Sequence, residues 1–280
     1  MAVFEEKAPA KVNLFLDLGK TLPNGYHSIF TVMQTVSLYD ELIIETLPEA
    51  GIRLECGTPG VPTDERNTVH KAIRLFCEKT GFEEGVRVSI TKNIPHGAGL
   101  GGGSADAAAA LRALSRLVPV KKELLAGIAL AVGADVPFCV VGGTALCQNM
   151  GELLTPLPRP AFGEFVIVMP ETPVSTAGAY RLIDEAEWLR HPDRELCAWA
   201  SATADTELLC RIAANVFEQV VDVPGRAEIK SVMRAHNARL SMMSGSGASV
   251  YGLFEDAADA DACFSELSGR GMRAWRASAV

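Results

Sequence analysis

The hydrophobic pattern changes period several times along the chain, and each change predicts an element. Residues 10 to 18 alternate. Val12, Leu14, Leu16 and Leu18 fall on one face; Lys11, Asn13, Phe15 and Asp17 fall on the other. A period of two predicts a strand and puts Lys11 and Asn13 on the same face. Pro23-Asn24-Gly25 is a turn signal. Residues 29 to 47, rich in Ile, Val and Thr, predict two strands broken at Tyr39-Asp40, and a short strand follows at 51 to 55. Asn67 reads as an N-cap, with Val69, Ile73 and Phe76 at helical spacing until Gly81. Residues 85 to 91 alternate again as a strand. An alanine-rich helix is expected over 105 to 117 and another over 121 to 132, ending at Gly133. Residues 138 to 147 read as an apolar strand.

Pro156, Pro158 and Pro160 mark a boundary, giving expected domains of 1–158 and 159–280. The second half predicts a strand at 164–169 and helices at 176–190, 206–221 and 226–236. A strand at 239–243, the loop Ser244-Gly245-Ser246-Gly247, a strand at 249–254, a helix at 257–268 and a strand at 272–277 complete it. A small sheet packed on helices fits this α+β order.

Charge and composition exclude several function classes. The 280 residues carry a net charge of −8, and neither half of the chain is basic. A nucleic-acid binder needs a positive footprint. No apolar run approaches the ~20 residues of a membrane span. The first residues, MAVFEEKAPAK, resemble neither a signal peptide nor an Arg-rich transit segment. The expectation is a cytoplasmic protein that acts on small molecules, with no nucleic-acid or membrane partner; its oligomeric state stays open. Seven cysteines without a C-x-x-C pair, and five scattered histidines, give neither a disulfide framework nor a structural metal site. The cysteines read as small buried apolar side chains.

Glycine changes the picture most. Five glycines fall within seven positions, Gly97 to Gly103, between an expected strand and an expected helix. Such a loop lets backbone N–H groups approach an anion at a helix start. Ser104 adds a hydroxyl for a phosphate oxygen or a metal. A Walker A loop does not fit: Gly19-Lys20-Thr21 imitates its end, but Leu14 stands where the first glycine is required. Gly97-Ala98-Gly99-Leu100-Gly101-Gly102 matches G-x-G-x-x-G, yet Lys121-Lys122-Glu123 lies in a helix where a Rossmann unit needs an acidic residue after a strand. The H-R-D and D-F-G segments of protein kinases are absent.

The run Pro95-His96-Gly97-Ala98-Gly99-Leu100-Gly101-Gly102-Gly103-Ser104-Ala105 resembles the phosphate loop of the GHMP kinases. Two further segments resemble that superfamily in order and spacing. They are Pro9-Ala10-Lys11-Val12-Asn13-Leu14 and Met243-Ser244-Gly245-Ser246-Gly247-Ala248-Ser249-Val250. The resemblance spans nearly the whole chain. It implies a two-domain α/β (α+β) fold, with an N-terminal ribosomal-protein-S5-domain-2-like domain, a ferredoxin-like C-terminal domain, and an active site between them. Within the superfamily, Gly25-Tyr26-His27, Gln34, Gly133-Ala134-Asp135-Val136-Pro137 and Gly151-Glu152 are similar to one group of members. Those members use ATP to phosphorylate the C2 hydroxyl of a cytidine-diphosphate-linked methylerythritol, in the non-mevalonate route to isoprenoid precursors.

The resemblance also implies roles. Asp135 would accept the hydroxyl proton, although an Asp just after a helix-ending Gly also serves as a turn or cap residue. Lys11 would lie beside that aspartate, and Asn13 would bond the acceptor end of the substrate. Tyr26 would stack on the cytosine, His27 would read its polar edge, and Tyr180 would stack from the opposite face, with Thr176 near the same pocket. Asn67 and Lys92 match positions near the adenosine, or serve as a helix cap and a surface lysine. The residues from Pro95 to Ala105, with Gly245, Ser246 and Gly247, would hold ATP. Mg2+ would accompany ATP, with no carboxylate cage evident for it. Two positions depart from the family: Ala105 where Ser is common, and Asn149 where Gly is frequent. Two alternatives stay open, another GHMP small-molecule kinase or a non-catalytic nucleotide-binding regulator on the same scaffold. The loop from Asn93 to Ala105 contains no Lys or Arg. Phosphate binding there would rest on backbone N–H groups and a helix dipole.

Overall fold

A computed structural model describes residues 2–23 and 25–280. The turn expected at Pro23-Asn24-Gly25 lies partly outside the described residues. By internal contacts the chain forms two compact units. One contains the chain up to Ala10, Tyr39–His96 and Gly101–Gly142; the other contains Lys11–Leu38, Gly97–Leu100 and Gly143–Val280. Two long strands, β1 (Val3–Thr21) and β2 (His27–Leu47), each contribute to both.

In the first unit, the end of β2 pairs antiparallel with β4 (Gly85–Thr91), from Glu41 opposite Thr91 to Leu47 opposite Gly85. β3 (Ile52–Cys56) pairs parallel with β4. Parallel neighbours need a crossover, supplied by α1 (Thr68–Thr80), capped by Asn67 and ended by the left-handed Gly81. α2 (Gly102–Leu117), α3 (Lys122–Val132) and α4 (Val136–Val141) follow. Ala105, Ala107, Ala108, Ala109, Ala110 and Ala113 of α2 are all fully buried. Small side chains let α1 and α4 approach α2 closely, and Phe76 of α1 and Phe138 of α4 are fully buried. Lys71 donates to Val132 O at 3.0 Å and Arg112 to Cys139 O at 2.8 Å, so cations meet the C-terminal carbonyls of α3 and α4.

In the second unit, the start of β2 pairs with β5 (Thr144–Asn149), which pairs with β6 (Leu153–Leu157). A separate sheet contains β7 (Glu164–Met169), β8 (Leu240–Met243), β9 (Val250–Phe254) and β10 (Arg273–Ser278), in the order β10-β7-β9-β8. Four helices lie between β7 and β8: α5 (Thr176–Glu185), α6 (Arg194–Ala202), α7 (Thr206–Ile212) and α8 (Arg226–Ala235). α9 (Ala257–Gly269) lies between β9 and β10. This order, all pairs antiparallel, is ferredoxin-like. Val166, Val168, Val250 and Phe254 on the sheet pack on Ile229 and Met233 of α8 and Cys263 and Leu267 of α9.

Several expectations need correction. Residues 29–47 form one uninterrupted strand, not two. Only 144–147 of the strand expected over 138–147 is strand, as part of β5: Pro137, in the first turn, favours α4 before it, and Gly142 and Gly143, both at positive φ, separate the two. Short apolar runs do not distinguish these two states by periodicity. The helix at 176–190 stops at Glu185, and that at 206–221 breaks after Ile212 into a short 3₁₀ turn, Val216–Gln219, capped by Asn215. The proline-rich stretch contains β6, an edge strand, where Pro156 interrupts no central ladder. β1 is buried on both faces from Lys11 to Leu18. Fully buried Asp17 accepts from Arg194 Nε at 2.5 Å and lies 2.9 Å from His191 Nδ1, which ties the start of α6 to β1. Asn149 occupies the left-handed region at φ 61°, where Asn is among the non-glycine residues best tolerated.

Candidate active site

In the second unit, the first and third motifs meet through backbone and one carboxamide. The Lys11 N–H donates to Leu100 O at 2.9 Å, so β1 bonds directly to the glycine loop. Ala98 and Leu100 are buried anchors, and His96 and Gly97 are exposed. Gly99 has φ +72°, and a Cβ there would lie 2.2 Å from Ser244 O. Ser244 Oγ donates to Gly99 O at 2.9 Å, and the Ser249 N–H donates to Ala98 O at 3.1 Å. Asn13 joins these parts. Its Oδ1 accepts from Lys11 Nζ at 2.9 Å and from the Gly245 N–H at 3.0 Å, and its Nδ2 donates to Thr31 at 2.8 Å. Asn13 is 1% exposed, and these bonds account for most of its capacity. It acts here as the hub that orients Lys11, itself 4% exposed. Asn215 holds the second loop, donating to Met243 O at 2.8 Å and Gly245 O at 2.7 Å. Ser246 Oγ lies 3.1 Å from Thr176 Oγ1, joining a residue expected near ATP to one expected near the acceptor.

In the first unit, Gly101 begins α2 at φ 71° and has no side chain to cap it, so the first N–H groups of the helix are left for an anion. Thr68 Oγ1 donates to Gly103 O at 2.7 Å, fixing this start against α1. Asn67 is spent on its own chain, its Oδ1 accepting from the Val69 N–H at 2.8 Å and its Nδ2 donating to Pro62 O at 2.7 Å.

Lys92 is a buried ion-pair residue, not a surface lysine. It donates to Asp106 at 2.6 Å and to Asp40. Asp40 also accepts from the N–H groups of Asn93 (2.6 Å) and Ile94 (2.8 Å), at the entrance to the glycine loop. Two carboxylates share one ammonium, and Asp106 Oδ1 is buried with no hydrogen-bond partner. Burial pushes Asp106 up to about 7; Lys92 opposes the shift, and Asp40 adds to it. Burial works against the Lys92 charge, but Asp106 and Asp40 outweigh it and hold its pKa above the ordinary value.

For Asp106 the folded form therefore binds a proton that the unfolded form, near 3.8, has already released. Stability should fall as pH rises from about 4 to about 7, and level off above that. Urea denaturation of wild type and Asp106→Asn across this range checks it. The variant should lose the slope and be the more stable at pH 8; an unchanged slope would contradict the assignment.

Asp135 precedes α4 in a right-handed conformation, φ −83° and ψ −13°, and its side chain does not cap that helix. His27, at the start of β2, stacks on Tyr180 of α5 with centroids 5.5 Å apart. Tyr180 meets buried Phe217 edge-on at 5.1 Å. Tyr26 is exposed. Among the described residues, no three His, Cys, Asp or Glu side chains form a metal cage. Ser104, half-buried in the first turn of α2, is the hydroxyl that fits a phosphate-bound cation. Ala105 is fully buried and supplies none.

Sequence reasoning missed Thr31, Asp40, Asp106, Asp184 and Asn215. Asp184 carried a signal, four residues after Tyr180 and so on the same helix face. The others carried none, because their partners are 18 or more residues away or on another element.

Residues 67–143 match the GHMP kinases N terminal domain, and residues 205–272 match the GHMP kinases C terminal domain. A 4-diphosphocytidyl-2-C-methyl-D-erythritol kinase of Caldicellulosiruptor saccharolyticus is 40% identical over 91% of this chain and 89% of its own. One of Geobacillus kaustophilus is 42% identical over 89% and 87%. The crystal structure of a 4-(cytidine 5'-diphospho)-2C-methyl-D-erythritol kinase superposes with a TM-score of 0.80 at 33% identity, covering 99% of both chains. Mevalonate kinase of L. major, with R-mevalonate bound, shares the fold at a TM-score of 0.75 and 20% identity, covering 99% of this chain and 95% of its own. The chain belongs to the GHMP kinases and, within them, to the 4-diphosphocytidyl-2-C-methyl-D-erythritol kinase family.

Proposed function

We propose that this protein transfers the γ-phosphoryl group of ATP to the 2-hydroxyl of 4-diphosphocytidyl-2-C-methyl-D-erythritol, giving the 2-phosphate and ADP. The observation that carries this reading is Lys11. A buried lysine on β1 is bonded through Asn13 to the second glycine loop and through its own backbone to the first. Phosphoryl transfer depends on positioning and on compensating charge. The loop N–H groups and the start of α2 bind phosphate, and Lys11 supplies positive charge in a site poor in cations. Asp135 takes the proton from the acceptor hydroxyl. Tyr26, His27 and Tyr180 select the cytidine end. Magnesium, when bound with ATP, neutralises phosphate charge, and Ser104 is the residue present that fits it. Both substrates are small molecules, and the enzyme works in the cytoplasm without a nucleic-acid partner; no described helix is long and apolar enough to cross a membrane.

An acceptor panel with ATP tests the reading. Turnover is expected with the cytidyl substrate and at most traces with mevalonate or homoserine, which carry no base to stack. Preference for either of those acceptors would overturn it.

A further inference from the structure

His27 is held by two residues of one helix. Tyr180 and Asp184 of α5 stand four apart and share a face. Tyr180 covers the plane of the imidazole, with an interplanar angle of 28°. Asp184 Oδ1 lies 2.9 Å from His27 Nε2. An ionised carboxylate only accepts hydrogen bonds, so Nε2 must carry the proton. In the neutral ring Nδ1 is then an acceptor.

We propose that Asp184 is a specificity-determining positioning residue, fixing the His27 tautomer so that Nδ1 accepts from the 4-amino group of cytosine and rejects the uracil carbonyl at that place. The inference rests on the cytidyl reading above. Cytosine carries a donor at position 4, and uracil carries an acceptor there. Two acceptors brought together leave both unpaired, which discriminates more strongly than a difference in shape. Asp184 acts through His27 and need not touch the base. At 58% side-chain exposure its charge adds little to stability, so its removal should leave the fold intact. Tyr180 is braced by Phe217, whose 3₁₀ turn is capped by Asn215, and the ring is therefore fixed in plane as well as in tautomer.

Direct titration with CDP and UDP, together with ¹⁵N NMR of labelled histidine, tests this without recourse to turnover. Wild type should bind CDP in preference to UDP and show His27 as the Nε2–H tautomer. Asp184→Ala should lower the CDP-to-UDP preference about tenfold and mix the tautomers. Asp184→Asn can still accept from Nε2 and should keep most of the preference. An unchanged ratio and tautomer in Asp184→Ala, with CDP preferred in wild type, would overturn this inference alone. Wild-type protein that binds neither nucleotide would overturn the cytidyl reading and this inference with it.

Discussion

Asp135→Asn is expected to lower kcat by about 10² to 10⁴-fold and leave the melting temperature unchanged. The substitution preserves shape and removes the proton acceptor. It should not disturb the backbone, because residue 135 lies in an ordinary right-handed conformation and its side chain makes no cap bond to α4. Pro137 in the first turn fixes the start of that helix independently of the carboxylate. Steady-state turnover beside thermal denaturation separates the two effects. A kcat within a few-fold of wild type would remove Asp135 from the role of base. A fall in turnover accompanied by a fall in melting temperature would make it a structural residue instead.

The second large effect is expected from Gly99→Ala. The added methyl would sit 2.2 Å from Ser244 O and 2.9 Å from Gly247 O, both backbone atoms that no rotamer change can clear. The positive φ adds a cost of about 1–2 kcal/mol. Relief requires the two glycine loops to separate, breaking the Ser244-to-Gly99 and Ser249-to-Ala98 hydrogen bonds. With both loops displaced, in-line placement is lost, and kcat/KM should fall at least about 10²-fold. Gly97→Ala is the control. Its φ is +67°, but nothing lies within 4 Å of the new Cβ, so strain alone acts, at about 1–2 kcal/mol. Kinetics and urea melts of the pair should therefore differ sharply. Equal losses in both variants would show that backbone strain, not loop-to-loop contact, explains the glycines.

The local elements were largely legible because their causes are local. The Asn67 cap and Gly81 stop delimit α1, and the alternation from Gly85 to Thr91 gives β4. The glycine loop and the alanine helix were equally plain. The failures share a physical reason. Tyr39-Asp40 looks like a break because a charge within a strand usually faces solvent, but here Lys92 and two loop N–H groups satisfy it. The sequence did not predict α6, Arg194–Ala202, whose start is tied to the fold by Arg194 and Asp17, 177 residues apart.

The candidate site divides in the same way. Lys11, Asp135 and the glycines could be singled out because the proposed chemistry uses those residue types and the family resemblance supplied their places. Asn13 was found, but the structure gives its carboxamide to Lys11, Gly245 and Thr31.

By itself the sequence determined the glycine-rich loop, its freedom from Lys and Arg, the family and the reaction class, since these depend on residue type and short spacing. Tertiary structure alone decided which polar groups are occupied. It made Lys92 part of a buried ion-pair network and placed Asp184 against His27. Hydrogen-bond capacity and burial depend on neighbours that only folding brings together, and no spacing rule along the chain contains them.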